Sequence, residues 1–78
     1  MRPVERLTDR DMELLEWLVE GFANRQIAEC MGASVQVTKN RVSNIFGKTG
    51  MSSRGELALY ALQKLHIFPR SIPDKLMR

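Results

Sequence analysis

Apolar residues recur at three- and four-residue steps along most of the chain, the spacing at which side chains share one face of an α-helix. Four such stripes follow one another, and their members in chain order are Leu14, Leu15, Leu18 and Phe22; Ile27, Ala28 and Met31; Thr38, Val42, Ile45 and Thr49; and Leu57, Ala58, Ala61, Leu62 and Leu65. No segment shows the period-two alternation typical of a half-buried β-strand. The pattern therefore predicts an all-α domain of four helices.

Capping residues and glycines mark where these helices begin and end. Side chains that can accept a hydrogen bond from the first turn precede each stripe: Thr8 (with Asp11 as a capping box), Asn24, Ser34, and Ser53 (with Glu56 as a second capping box). Glycines that can end a helix lie at the ends of the first three stripes: Gly21, Gly32 and Gly50. Pro69 and Pro73 keep the fourth helix from continuing.

The chain has 78 residues, enough for one small domain. We expect an N-terminal extension over residues 1–6, the helical domain over 7–68 and a flexible C-terminal tail over 69–78. A single Cys and a single His exclude an internal disulfide and a structural zinc site, so no metal or cofactor is expected. The longest apolar run is six residues, which is too short to span a membrane and favours a cytoplasmic protein.

Charge is unevenly distributed along the chain. Residues 21–54 carry five basic residues and one acidic residue, whereas residues 1–20 carry three basic and six acidic residues. A basic segment of this kind is typical of a phosphate-binding surface, although an ordinary helix also shows its charges to water.

The second and third predicted helices, joined by the short segment 31–34, have the arrangement of a helix-turn-helix motif. At 100° per residue, one side of the third helix carries only hydrogen-bonding groups, one cation and a glycine within an arc of about 100°. Its members are Gln36, Lys39, Asn40, Ser43 and Gly47. Lys, Asn, Gln and Ser are the residue types that bind base edges in the major groove, so the first four are predicted base contacts. The alternative is an ordinary polar helix surface, but such surfaces usually mix acids with bases.

Several motifs resemble the LuxR-type (GerE/NarL/FixJ) helix-turn-helix domain over about residues 7–66. The residues that carry the resemblance are Leu7-Thr8, Arg10-Asp11, Gly21, Asn24-Arg25-Gln26-Ile27-Ala28, Ser34, Lys39-Asn40, Asn44-Ile45, Lys48 and Ser53-Arg54. The resemblance implies a four-helix domain that binds double-stranded DNA, usually as a dimer, to control transcription. It also implies that Lys39, Asn40 and Ser43 read the major groove, in agreement with the helical geometry.

The third helix departs from the family pattern at several positions. The usual Thr-Val is Val37-Thr38, the usual His is Arg41 and the usual Leu is Thr49. Gly47 inside the helix costs roughly 1 kcal/mol relative to Ala. We expect the hydroxyls of Thr38 and Thr49 to bond back to the preceding turn.

The remaining predicted contacts fall into two groups. The predicted phosphate contacts are Arg25, Ser34, Val37, Arg41, Lys48 and Arg54, through cationic side chains and the amide end of a helix. The predicted dimer interface on the fourth helix is formed by Leu59, Tyr60 and Leu62. The alternative for this helix is a well-buried element with two exposed apolar residues.

Two functions remain open on the sequence alone. The first is a sequence-specific transcription regulator, or the output domain of a response regulator, acting as a homodimer and with RNA polymerase as a further possible partner. The second is a helical protein-interaction module that keeps the fold without specific DNA binding. No nucleophile or carboxylate pair has a pocket to work in, so neither an enzyme nor a small-molecule ligand is predicted.

Overall fold

Four α-helices form the protein in a computed structural model that describes residues 7–69. They are α1 (Asp9–Val19), α2 (Asn24–Met31), α3 (Val35–Thr49) and α4 (Arg54–Lys64), with no strand within the described range. The predicted all-α, four-helix architecture is confirmed. The predicted extension 1–6 and residues 70–78 of the predicted tail lie outside the described residues.

Two of the predicted N-caps hold the first turns of their helices. The Thr8 hydroxyl accepts from the Asp11 amide at 3.1 Å, and the Asp11 carboxylate accepts from the Thr8 amide at 3.0 Å, which completes the predicted capping box. The Ser34 hydroxyl accepts from the Val37 amide at 3.0 Å. These caps fix where α1 and α3 begin, because each satisfies amides that have no partner inside the helix.

The prediction that Asn24 caps α2 is wrong. Ala23 is the extended residue that precedes the helix, and its amide donates to the Gln26 side chain at 2.9 Å. Asn24 is instead the first helical residue, and its side-chain oxygen accepts from the Arg54 guanidinium at 2.9 Å. A side chain that could cap its own helix is therefore used to bind another element.

The second capping box is only half confirmed. The Ser53 hydroxyl accepts from the Glu56 amide at 3.1 Å, as predicted. The Glu56 carboxylate, however, accepts from the amide and hydroxyl of Ser52, at 2.7 and 2.9 Å, rather than from Ser53. Both hydrogen bonds lower the pKa of Glu56.

The core is built from the four predicted stripes together with one residue that the pattern did not predict. Its buried members are Leu14, Leu15, Leu18, Ile27, Met31, Val42, Ile45, Leu57, Ala61 and Ile67. Ile67 reaches the core because the chain turns back after α4: His66 has φ 54°, and the Ile67 amide donates to the Ala61 carbonyl at 3.0 Å. Leu65, predicted in the stripe of α4, follows the end of that helix and packs against the core half-buried.

Both buried threonines of α3 bond to the preceding turn, as predicted. The Thr38 hydroxyl donates to the Ser34 carbonyl at 3.0 Å, and the Thr49 hydroxyl donates to the Ile45 carbonyl at 2.9 Å. The polar group at each core position is therefore satisfied without a partner from another helix.

The part of the chain from residue 7 to residue 69 contains no helix long and apolar enough to cross a membrane. Within the same range, no group of three or more His, Cys, Asp or Glu side chains could hold a metal ion.

Candidate nucleic-acid interface

Helices α2 and α3 form the predicted helix-turn-helix. Gly32 ends α2 in the left-handed conformation at φ 66°, which favours glycine, and Ser34 caps α3 two residues later. The two helices pack closely, and α1 packs against α4. Thr38, Val42 and Ile45 of α3 face the core, so the opposite side of this helix is directed to solvent.

The outer face of α3 consists of Gln36, Lys39, Asn40, Ser43 and Gly47, and all five residues are exposed. The structure thus places the four predicted base-contacting side chains together on one solvent-facing surface. None of the fifteen residues of α3 is acidic. A face that offers a cation, two carboxamides and a hydroxyl suits the acceptor-rich major groove of DNA.

Two of these side chains bond to each other. The Gln36 side-chain nitrogen donates to the Asn40 side-chain oxygen at 3.1 Å across one helical turn. This pair was not among the predicted features, although two carboxamides spaced four residues apart on a helix are a signal for such a bond. The bond makes the two carboxamides one unit on the outer face of α3.

At the N-terminus of α3, Ser34 and Val37 are already engaged with each other through the cap. The amides of Val35 and Gln36 are first-turn groups with no carbonyl to bond within the helix. The side chains of Val35 and Val37 are 38% and 40% exposed. The amide end of α3 is therefore turned to solvent beside the outer face, as a phosphate contact there requires.

The two predicted cations on the flank of α3 differ in their surroundings. Arg41 is half-buried, and its Nη1 is shielded from solvent without a hydrogen-bond partner among residues 7–69. Lys48 lies 2.8 Å from the Asp11 carboxylate, and the Lys48 side chain is only 21% exposed. Lys48 therefore already holds an anion inside the protein, and a phosphate would have to compete with it.

Asp11 joins the start of α1 to the end of α3. Burial alone would raise the pKa of Asp11, but hydrogen bonds from Lys48 and Thr8 and the charge of Lys48 outweigh it, so the pKa is lowered overall. The carboxylate is thus held ionised between a cap and a cation. This ion pair was not predictable from the sequence, because its members lie 37 residues apart.

Arg54 and Arg25 also differ in their exposure and in their hydrogen bonds. Arg54 is half-buried and donates to the Asn24 side chain at 2.9 Å and to the Phe22 carbonyl at 2.7 Å, and its burial lowers its pKa. These bonds tie the start of α4 to the connection between α1 and α2. Arg25, on the first turn of α2, is exposed.

The predicted dimer residues lie on α4 with unequal exposure. Leu59 is 53% exposed, while Tyr60 and Leu62 are half-buried. Leu59, Tyr60 and Met51 line a shallow depression together with Glu56, Gln63 and Lys64, and its exposed surface is mainly apolar. An apolar surface of this kind on a small domain suits contact with another protein surface.

Comparison with known proteins gives a consistent result. Residues 5–61 match the GerE family, described as bacterial regulatory proteins of the luxR family. The chain is 36% identical over 59 residues to the "Response regulator protein VraR" of Staphylococcus aureus, and equally to the proteins of that name from Staphylococcus saprophyticus and Staphylococcus epidermidis. In each case the match covers 76% of this chain and 28% of the relative. The chain thus corresponds to little more than a quarter of the length of these relatives.

Proposed function

Because the chain belongs to the luxR family of bacterial regulatory proteins, we propose that it binds specific sequences of double-stranded DNA and regulates transcription. The observation that carries this proposal is the outer face of α3, which is exposed, free of acidic residues and built from side chains that bind base edges. In this proposal α3 lies in the major groove, as the second helix of a helix-turn-helix does.

The contacts divide by chemistry. Gln36, Lys39, Asn40 and Ser43 supply sequence preference, while Arg25, Arg41 and the amide end of α3 around Ser34 and Val37 bind phosphates. Lys48 and Arg54 also belong to the proposed phosphate-binding set. For these two, the internal bonds to Asp11 and Asn24 position the cation, and a phosphate joins or replaces the internal acceptor.

We further propose that the domain acts as a homodimer through Leu59, Tyr60 and Leu62 of α4. Two copies would place two α3 helices about one DNA turn apart on a palindromic site, which multiplies the free energy of binding. The relatives are named response regulators, and in a protein of that kind the chain would be the DNA-binding output part. Contact with RNA polymerase stays a prediction for such a regulator.

The deciding experiment is a selection of bound duplexes from a random-sequence pool, run in parallel on wild type, Lys39→Ala and Arg10→Ala. Arg10 is exposed on α1 and pairs with Glu13, so its variant controls for the loss of one positive charge. We expect a two-fold symmetric motif for wild type and Arg10→Ala, and a degraded motif for Lys39→Ala. A folded wild-type protein that enriches no sequence at low salt contradicts the proposal.

Salt dependence separates this function from the alternative of a protein-interaction module. Each phosphate contact lowers the logarithm of the DNA affinity by about 0.9 per tenfold increase in salt. We therefore expect a steep loss of affinity between low and moderate ionic strength. A binding partner captured with an affinity that salt does not change would favour the protein-interaction module.

A further inference from the structure

The hydrogen bond between Gln36 and Asn40 determines what the outer face of α3 offers to a base. Gln36 donates through its amide nitrogen, and Asn40 accepts through its oxygen. The bond uses one of the two lone pairs on the Asn40 oxygen, so the Asn40 carboxamide still has an acceptor lone pair and its N–H donors for an external partner. Asn40 therefore presents an acceptor and a donor side by side, in the orientation that the bond from Gln36 favours.

This result does not depend on which carboxamide donates. If both groups rotate together, one Asn40 N–H donates to the Gln36 oxygen, and the Asn40 carboxamide keeps its second N–H and its oxygen for a base. Asn40 thus offers a donor and an acceptor in either arrangement. A lone carboxamide can turn either end toward a base, whereas a member of the bonded pair can do so only if its partner turns too.

Adenine is the base whose major-groove edge carries the matching acceptor and donor. It offers N7 as an acceptor and the N6 amino group as a donor, whereas guanine offers two acceptors in N7 and O6. Thymine offers only the O4 acceptor and cytosine only the N4 donor. A donor and an acceptor held side by side therefore match adenine. On guanine, the acceptor of the protein would face a second acceptor.

We propose that Gln36 and Asn40 read one adenine in each half-site as a single unit, with Gln36 acting as the positioning residue that fixes the Asn40 carboxamide. This inference rests on the proposed function, since it requires α3 to lie in the major groove. Both residues lie in the first half of α3, the part of a recognition helix that contacts base edges.

Lys39 supports a division of roles on the same face. Its ammonium group has three donors and no acceptor, so it suits the two acceptors of guanine and cannot satisfy the amino group of adenine. The outer face of α3 therefore separates a position for guanine from a position for adenine. Lys39 and the carboxamide pair thus suit different bases.

The test uses the site that wild type selects and replaces its adenines one at a time with base analogues. 7-Deazaadenine removes the N7 acceptor, and nebularine removes the amino group. The affinity of each modified duplex is measured for wild type, Gln36→Met, Asn40→Ala and the double variant. Gln63→Met serves as the matched control, because Gln63 is an exposed glutamine on α4. Gln63 lines the depression beside Leu59 and Tyr60, but any effect on dimerisation acts equally on modified and unmodified duplexes and cancels in their ratio.

At one adenine per half-site we expect each analogue to weaken wild-type binding about tenfold, the scale of a good two-point base contact. Asn40→Ala should bind modified and unmodified duplexes about equally, which is an analogue penalty of about onefold. In Gln36→Met the penalty should shrink severalfold. In the double variant it should be no smaller than in Asn40→Ala. Gln63→Met should keep the full penalty. The salt dependence should stay the same in every variant, because no phosphate contact is removed.

The outcomes distinguish the two proposals. If wild type selects no sequence, the proposed function fails. Suppose that wild type selects a motif and that Asn40→Ala keeps the analogue penalty at every adenine of that motif. The proposed DNA-binding function is then retained, and the proposal that Asn40 reads adenine is overturned. If Asn40→Ala removes the penalty and Gln36→Met leaves it at the wild-type size, Gln36 does not position Asn40 and the paired unit is overturned.

Discussion

Thr38 occupies one of the most buried positions of α3, with 1% of its surface exposed. Its hydroxyl donates to the Ser34 carbonyl, which also accepts from the Thr38 amide at 3.0 Å. The carbonyl therefore stays satisfied when the hydroxyl is removed, and the methyl group of Thr38 contributes the apolar contact. A polar residue here is tolerated because its own helix supplies the acceptor.

We therefore predict opposite effects for two small changes at this residue. Thr38→Val replaces the hydroxyl with a methyl of similar shape and should leave the free energy of unfolding unchanged or raise it by up to about 1 kcal/mol. Thr38→Ser keeps the hydroxyl, removes the methyl and should lower it by about 1 kcal/mol. Urea denaturation of both variants measures the difference, and a Val variant less stable than the Ser variant would contradict the prediction.

Single residues were predictable from the sequence where their partners are close in the chain. Thr8 and Ser34 cap as predicted, because each acceptor and its donor lie three residues apart. Asn24 was assigned wrongly because its side chain binds Arg54, which lies 30 residues away. The spacing of residues along the chain carries no information about such a partner.

At the scale of helices, the ion pair between Asp11 and Lys48 fixes the end of α3 against the start of α1. The Asp11 side chain is 9% exposed and the Lys48 side chain 21%, so water screens the pair only in part. The same carboxylate completes the cap of α1. One carboxylate thus links the cap of α1 to the end of α3, in addition to the core contacts of Val42 and Ile45.

The lowered pKa of Asp11 leads to a prediction about pH. A carboxyl group whose pKa is lower in the folded than in the unfolded state contributes stability above its unfolded pKa, and the contribution is lost as pH falls through the folded pKa. Asp11→Asn should therefore be less stable than wild type by about 1–3 kcal/mol at pH 7. This difference should shrink below about pH 4, near the ordinary carboxyl pKa.

Urea denaturation at a series of pH values measures this difference. Glu56, whose pKa is also lowered, is present in both proteins, so its contribution cancels in the comparison. A stability difference that does not change with pH would show that Asp11 acts through its shape and hydrogen bonds rather than its charge.

Two glycines of the α3 segment allow a matched prediction. A Cβ atom added at Gly47 or at Gly50 meets no atom within 4 Å, but Gly50 has φ +74° while Gly47 lies inside the helix. Gly47→Ala should raise the free energy of unfolding by about 0.5–1 kcal/mol. Gly50→Ala should lower it by about 1–2 kcal/mol, because a side chain is strained in the left-handed conformation.

Thermal or urea denaturation of the two variants gives the signs directly. A destabilising Gly47→Ala would mean that the flexibility of glycine, and not only its small size, is needed inside α3. If Gly47→Ala is more stable but binds DNA more weakly, the missing side chain at residue 47 serves close approach to the groove.

At the scale of the molecule, acidic side chains are unevenly distributed over residues 7–69. Helix α1 has an exposed Asp9 in its first turn and no basic residue in its last turn, whereas α3 carries no acid. This charge distribution favours an approach to DNA with α3 leading. The apolar residues of α4 remain available for a second copy.

The proposed dimer makes a prediction at this scale. Leu59→Asp places a charge on the most exposed large apolar side chain of α4. We expect it to weaken binding to a duplex with two half-sites at least about tenfold, since the second copy no longer adds its contacts. Binding to a single half-site should stay as in wild type, and Leu59→Met should behave like wild type on both duplexes.

Sedimentation with and without DNA shows the number of copies bound. A wild-type protein that remains a monomer on a two-half-site duplex would contradict the dimer. Equal losses for Leu59→Asp on both duplexes would place its effect in the fold rather than in the interface.

The overall architecture followed from the sequence because every helix carries its own periodic stripe and turn. The exception is Ile67, which joins the core only because His66 adopts a left-handed conformation that non-glycine residues rarely adopt. The roles of α3 and α4 stay predictions, since they depend on molecules that the chain meets in solution.

The short connections between the helices also affect the rate at which the domain folds. Residues 20–23, 32–34 and 50–53 join consecutive helices, so most neighbours in space are near neighbours along the chain. Helical proteins with such local topology fold in roughly microseconds to milliseconds. A newly made or briefly unfolded copy would thus regain its structure quickly. The delay before it can bind DNA would then be set by diffusion and, for the proposed dimer, by the encounter with a second copy.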